Sequence, residues 1–190
     1  TNLVLLFALG NTTASVFEPY GYEIFTRIPK RSVWWLAHCL MAVIAAIVEQ
    51  TAIIGTITVF CLAVGGPFAI CDYRGLAIPE LVSWPGTGYM QVLSLLLSPV
   101  LAAIALALLQ LLLELVAGDT LGLIFAIVFV VSGAFLDEPI LFCGHAMMQR
   151  LSAFTGDGIT MKQTVLWTGV ISALSIIVGA RHLSKKDLIR

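Results

Sequence analysis

Charged residues are scarce in this sequence. Only 11% of the 190 residues are Asp, Glu, Lys or Arg, whereas 59% are hydrophobic, and the mean hydropathy is +1.02. A soluble domain carries about 25% charged and roughly 45–50% apolar residues, because polar side chains must cover its core. The composition therefore excludes an ordinary soluble enzyme or secreted domain and indicates a protein that lies in lipid. No basic patch is interleaved with aromatic residues, which argues against a nucleic-acid partner.

Motifs for nucleotides, metals and redox chemistry are also missing. No stretch matches the phosphate-binding pattern G-x-x-x-x-G-K-[ST], so any ATP that drives this protein must bind to another chain. The four cysteines form no C-x-x-C pair and the three histidines lie in separate regions, so we predict no metal site. Cys71 and Cys143 are predicted to share one side of the membrane. Whether they pair stays open here, and two unpaired thiols are the favoured interpretation.

Long apolar runs dominate the rest of the chain. Four of them predict transmembrane helices, over residues 33–63, 92–116, 121–136 and 165–180. The earlier run within residues 1–10 is too short to cross a bilayer, which takes about 20 residues. We expect it to be the end of a helix that begins before Thr1, and a short interfacial segment is the alternative. The prediction is one all-α polytopic membrane domain over residues 1–190.

Basic residues collect in two segments that flank the predicted spans. Seven of the ten lysines and arginines lie there, namely Arg27, Lys30, Arg31, Arg181, Lys185, Lys186 and Arg190. Basic segments stay in the cytoplasm, and four crossings return the chain to the side from which it started. Parity and charge therefore agree, and both the segment before the first full span and the tail 181–190 are predicted to be cytoplasmic.

The connections between the predicted spans differ in character. On the cytoplasmic side, residues 117–120 form a tight turn, which makes the helices on either side of it antiparallel neighbours. On the outer side, residues 137–161 are apolar but too short, and too polar at their end, to cross the membrane. They predict a helical hairpin that is re-entrant or lies at the membrane interface.

Glu49 and Gln50 are the polar residues most out of place. Both lie near the middle of the predicted span 33–63, where an ionisable group is costly and usually marks function. They could line a transport pathway or a dimer interface, and a purely structural role in helix packing is equally open. Glu114 lies one turn from the cytoplasmic end of its helix, so we expect its carboxylate to reach water.

The segment 18–33 mixes aromatic residues with charges of both signs and leads into Trp34 and Trp35, which suit the membrane interface. One interpretation is a short amphipathic helix on the cytoplasmic face, which could dock a soluble partner. The other is a surface loop that its basic residues anchor to the membrane.

These features together resemble the permease subunits of type-2 ABC exporters over most of the chain. The resemblance rests on the segment Arg27-Ile-Pro-Lys-Arg31 before the first full span and on the leucine-rich helix 101–115 with its tight turn. It rests also on the proline-containing outer segment that ends in Met147-Met148-Gln149-Arg150, and on the basic tail with Lys185-Lys186-Asp187-Leu188. Such permeases have six helices, so the first helix and part of the second would precede this sequence.

The resemblance implies a fold, partners and site residues. The chain would form a homo- or heterodimer in a bacterial plasma membrane, with ATP and Mg bound by a separate ATPase subunit. The residues that would couple to this ATPase are Tyr22, Glu23, Phe25, Arg27, Lys30 and Arg31. The residues that would form an extracellular gate are Pro139, His145, Met148 and Arg150.

The leading functional hypothesis is thus the transmembrane subunit of an ATP-driven exporter, with no enzymatic activity of its own. Few charges along the spans favour a peptide, a lipid or another amphipathic cargo. A membrane-embedded lipid-modifying enzyme is the first alternative, and Asp137, Glu138 and His145 are its only candidate cluster. A non-catalytic assembly or immunity protein is the second, because it would share every hydropathy feature.

Overall fold

The described part of the chain is helical. The computed structural model describes residues 6, 10, 31–64, 89–136, 138, 140–147, 150–152 and 158–185. Four α-helices occupy most of these residues: α1 (Arg31–Ala63), α2 (Tyr89–Ala117), α3 (Asp119–Phe135) and α4 (Met161–Lys185). No strand occurs within the described ranges, and the only β-type contact there is an isolated bridge between Leu151 and Ile159. The predicted all-α fold class is therefore confirmed.

Three of these helices are long and apolar enough to cross a membrane. The qualifying stretches are Ser32–Phe60 in α1, Leu96–Ala117 in α2 and Met161–Ser184 in α4. The fourth predicted span, 121–136, forms α3, but this helix has only 17 residues and stands at the lower limit for crossing a bilayer. The sequence predicted four full spans, and three have full length in the described part. A complete crossing by α3 stays a prediction.

Helix α2 is the centre of the bundle. Within the spanning windows, 56% of the residues are buried in α2, against 17% in α1 and 22% in α4. One side of α2 packs against α1 and α4, and another side packs against α3 and Leu6. Ala42 and Ala46 of α1 are fully buried in the same cluster as Ala103 and Ala107 of α2. Small residues four positions apart let two helix backbones approach closely, as membrane helices often do.

Helices that follow one another in the chain run antiparallel, whereas α2 and α4 run parallel, with their ends together in one buried cluster. The indole Nε1 of Trp35, near the start of α1, donates to the carbonyl of Ile176 in the second half of α4, at 3.0 Å. The Trp35 ring also lies against Gly179, where a side chain would collide with it. Gly118 alone separates α2 from α3, with a positive φ of 87° that suits glycine. Leu115, Leu183 and Trp35 share one buried cluster, so these three helix ends lie together.

One end of the bundle contains the start of α1, the α2–α3 turn and the end of α4. We call it the basic end, because the two basic segments of the sequence adjoin α1 and α4 there. At the opposite end lies the connector, residues 136–160, which joins α3 to α4. Its described part contains a 3₁₀ helix (Phe142–Ala146) and the bridge from Leu151 to Ile159. A helical hairpin, re-entrant or at the membrane interface, was predicted for residues 137–161. Several of them lie outside the described residues, and the described ones include the short 3₁₀ helix Phe142–Ala146.

Candidate functional site

The predicted coupling residues fall almost entirely outside the described residues. Arg31 is the first residue of α1, whereas Tyr22, Glu23, Phe25, Arg27 and Lys30 precede the described range. Of the predicted outer residues, Pro139 and Met148 are likewise outside it. His145, Arg150, Glu49 and Gln50 are described, and each lies in a defined environment.

Arg150 joins the connector to the end of α3. Its guanidinium Nη1 donates to the carbonyls of Gly133 and Leu136 at 2.7 and 2.8 Å, and its Nη2 donates to the carbonyl of Ala134 at 3.0 Å. The last carbonyls of a helix have no amide partner within the helix, and they carry its partial negative charge. A single cation therefore satisfies three acceptors at the α3 C-terminus. Arg150 is partly exposed to solvent.

His145 joins the connector to the start of α4. Its Nδ1 lies 3.0 Å from Oγ1 of Thr164, and both residues are completely buried. Next to it, Cys143 is 5% exposed and packs in the cluster of Leu6, Ala102 and Ala126. Cys143 is a free cysteine, and burial raises the pKa of its thiol to about 12. The arrangement suits fixed packing better than nucleophilic or acid–base chemistry.

The connector ends in a capping box that the sequence analysis missed. The backbone N–H of Thr160 donates to Oε1 of Gln163 at 2.8 Å, and the N–H of Gln163 donates back to Thr160 Oγ1 at 3.4 Å. This reciprocal pattern marks a helix start and explains why α4 begins at Met161 rather than at the predicted residue 165. The motif Thr160-Met-Lys-Gln163 was the available signal.

Glu49 and Gln50 point to different surroundings. Gln50 is only 4% exposed, and Glu49 is half-buried, because consecutive helical residues lie about 100° apart. The buried Nε2 of Gln50 has no hydrogen-bond partner among the described residues. Trp35 pairs with Ile176, and α1 and α4 run antiparallel, so fifteen residues further along α1 bring Gln50 towards the level of Met161. This level lies near the connector end of the bundle.

A second buried polar pair lies in α2 near the basic end. Gln110 Nε2 donates to Oε1 of Glu114 at 2.7 Å and to the carbonyl of Leu6 at 2.8 Å. Glu114 is 3% exposed, so the expectation that its carboxylate reaches water was wrong. Gly122 of α3 approaches the α2 backbone at Glu114 closely, so α3 packs against this turn of α2. Leu6 is helical, and the Gly10 N–H donates to its carbonyl at 2.8 Å.

The polar residues thus form two separate groups, one at the connector with His145 and Arg150 and one in α2 with Gln110 and Glu114. They do not form one convergent site. Among the described residues, no three side chains of His, Cys, Asp or Glu lie close enough to hold a metal ion. Comparisons of this chain with models of protein families, with curated proteins and with solved structures find no match.

Proposed function

We propose that this chain is the transmembrane subunit of an ATP-driven exporter. The proposal starts from the resemblance to the permeases of type-2 ABC exporters. One structural observation supports it above the others: the start of α1 and the end of α4 lie side by side at the basic end. The basic segment before α1 and the basic tail after α4 are therefore joined to helix ends at the same end of the bundle. A soluble ATPase could contact both segments, together with the α2–α3 turn.

In this proposal ATP and Mg bind to the ATPase subunit. A second copy of the chain, or a related one, completes the transporter. Nucleotide-driven movement of the ATPase would pull on the segment 18–33 and rock the helices between inward and outward openings. The cargo class that we favour is a peptide, a lipid or another amphipathic molecule, because α1, α2 and α4 carry few charges. ATPase activity that only a hydrophilic solute stimulates would contradict this cargo class.

The lipid-enzyme alternative has less support. It requires His145 to act with Asp137 and Glu138 on a bound lipid, but His145 is fully buried and contacts Thr164. Glu138 is exposed, and Asp137 lies outside the described residues. No described feature favours an assembly or immunity protein over a permease, so the experiment must separate these two.

The test is purification of the tagged chain in mild detergent, followed by mass spectrometry and an ATPase assay. We expect a stoichiometric nucleotide-binding partner that hydrolyses ATP. We expect to lose it from the triple variant Glu23→Ala, Arg27→Ala, Arg31→Ala. A matched control replaces exposed charged residues at the connector end, Glu138→Ala with Lys162→Ala, and should keep the partner.

Three results would contradict the proposal in different ways. Purification of the chain alone, without ATP hydrolysis, would favour an assembly protein. Lipid turnover by the isolated chain would favour the enzyme. Loss of the ATPase from the connector-end control but not from the triple variant would place the docking surface at the wrong end of the bundle.

A further inference from the structure

The connector is attached to its two neighbouring helices by contacts of different kinds. Its attachment to α3 is through Arg150, whose guanidinium caps three carbonyls of the last turn. Arg150 is partly exposed, so water can reach these carbonyls when the side chain leaves. Water can therefore replace the three hydrogen bonds from Arg150.

The attachment to α4 is buried. His145 and Thr164 contact each other and are completely shielded from solvent. Within the connector, the Leu151–Ile159 bridge adds two backbone hydrogen bonds, from Ser152 N–H to the Ile159 carbonyl at 2.9 Å and from Ile159 N–H to the Arg150 carbonyl at 2.6 Å. They tie the Arg150 segment to the residues that lead into α4. Because both residues are shielded from water, separating His145 from Thr164 is more costly than releasing a partly exposed guanidinium.

Beneath Arg150, the 3₁₀ helix and the end of α3 approach each other closely. The Cβ of Cys143 lies so near Gly133 that a methyl group there would be 2.8 Å from it. Gly144 is buried too, and a methyl group on it would be 3.0 Å from Nη1 of Arg150. Arg150 therefore covers the contact between the 3₁₀ helix and α3, and its departure would let water reach Cys143.

We propose that the described part of the connector, residues 140–147 and 150–152, is a conformational device that opens on the α3 side only. Release of Arg150 from the carbonyls of Gly133, Ala134 and Leu136 frees the 3₁₀ helix from α3. The His145–Thr164 contact holds the connector on α4, and the Leu151–Ile159 bridge keeps the Arg150 segment beside the residues that lead into α4. Proteins open locally at free energies below that of global unfolding. The device belongs to the fold itself, whether or not an ATPase is the partner.

The thiol of Cys143 reports this opening directly. In the closed state it is 5% exposed, and burial raises its pKa to about 12, so it should react slowly with a small maleimide. The experiment uses the full chain in nanodiscs with Cys39, Cys61 and Cys71 replaced by alanine. Arg150→Gln should raise the labelling rate about tenfold or more, because charge-assisted hydrogen bonds to three carbonyls are lost. Arg150→Lys, which keeps the charge but not the fork of donors, should give an intermediate rate.

Two controls separate local opening from general loosening. Arg181→Gln removes an exposed arginine at the basic end and should leave the Cys143 rate unchanged. A second reporter chain keeps only Cys39, which is 4% exposed in the cluster of Trp35 at the basic end, and Arg150→Gln should not change its rate. An unchanged Cys143 rate in Arg150→Gln would overturn the proposal. An equal increase at Cys39 would also overturn it, because the whole bundle would then have loosened.

Discussion

The two ends of the bundle are held together by different interactions. At the basic end, Trp35 packs in an apolar cluster with Leu111, Leu115 and Leu183, and its indole makes one hydrogen bond to α4. At the connector end, a single arginine caps α3, a histidine contacts α4, and a 3₁₀ helix lies between them. Water can take over the hydrogen bonds of a polar helix cap, whereas it cannot replace the contacts of apolar packing, which is rigid. The comparison indicates a fixed end and an end that can open.

The largest effect is expected from Trp35→Ala at the basic end. The ring is fully buried against α4, so its removal leaves a cavity and breaks the bond to the Ile176 carbonyl. We expect a loss of about 3 kcal/mol in the free energy of unfolding, which denaturant titration in mixed micelles can measure. Leu36→Ala is the control, because Leu36 is 50% exposed and its loss should be nearly neutral. Equal effects of the two substitutions would remove the distinction between buried and outward-facing sides of α1.

A smaller effect is expected from Gly133→Ala at the connector end. The added methyl group would lie 2.8 Å from Cys143 Cβ, so the 3₁₀ helix must move away from α3. Such overpacking costs about 1–3 kcal/mol, measurable by the same denaturant titration, and it should accelerate the labelling of Cys143. Gly169→Ala is the matched control, because a methyl group there meets open space. An unchanged labelling rate in Gly133→Ala would show that this contact does not keep the connector closed.

Part of this architecture could be predicted from the sequence alone. The bounds of α1 differ from the prediction by two residues at the start, because hydropathy and Trp34-Trp35 mark this helix locally. Helix α4 was predicted as 165–180 but covers Met161–Lys185, because its polar first and last turns continue the helix beyond the apolar run. Helix α3 has 17 residues, so its length alone did not decide whether it crosses the membrane.

The polar contacts were harder to predict, because they join residues far apart in the chain. Arg150 was expected in an outer gate through the family resemblance, but its three acceptors lie 14 to 17 residues earlier, in the last turn of α3. Glu114 was expected to reach water. Gln110 is its neighbour one turn earlier in α2, but only helix packing brings Gly122 of α3 against the same turn. The gate and coupling roles of the predicted residues stay predictions.

The smallest effect is expected from Thr160→Ala, which removes the hydroxyl of the capping box at the start of α4. We expect a loss of about 1 kcal/mol of stability, and Thr160→Ser should restore most of it, because serine caps as well as threonine. Amide hydrogen exchange should become faster in the first turn of α4 and stay unchanged at the end of the helix. Faster exchange at both ends of α4 would mean that the two ends are not independent.

The central claim is that the basic end faces the cytoplasm, where an ATPase can reach it, and that the connector end faces outwards. The most direct measurement uses two single-cysteine chains without native cysteines, Val64→Cys after α1 and Arg181→Cys near the end of α4, in intact cells. Both positions are exposed, and they lie at opposite ends of the bundle. The account predicts that a membrane-impermeant maleimide labels residue 64 at once and residue 181 only after permeabilisation. Labelling of residue 181 in intact cells would contradict it.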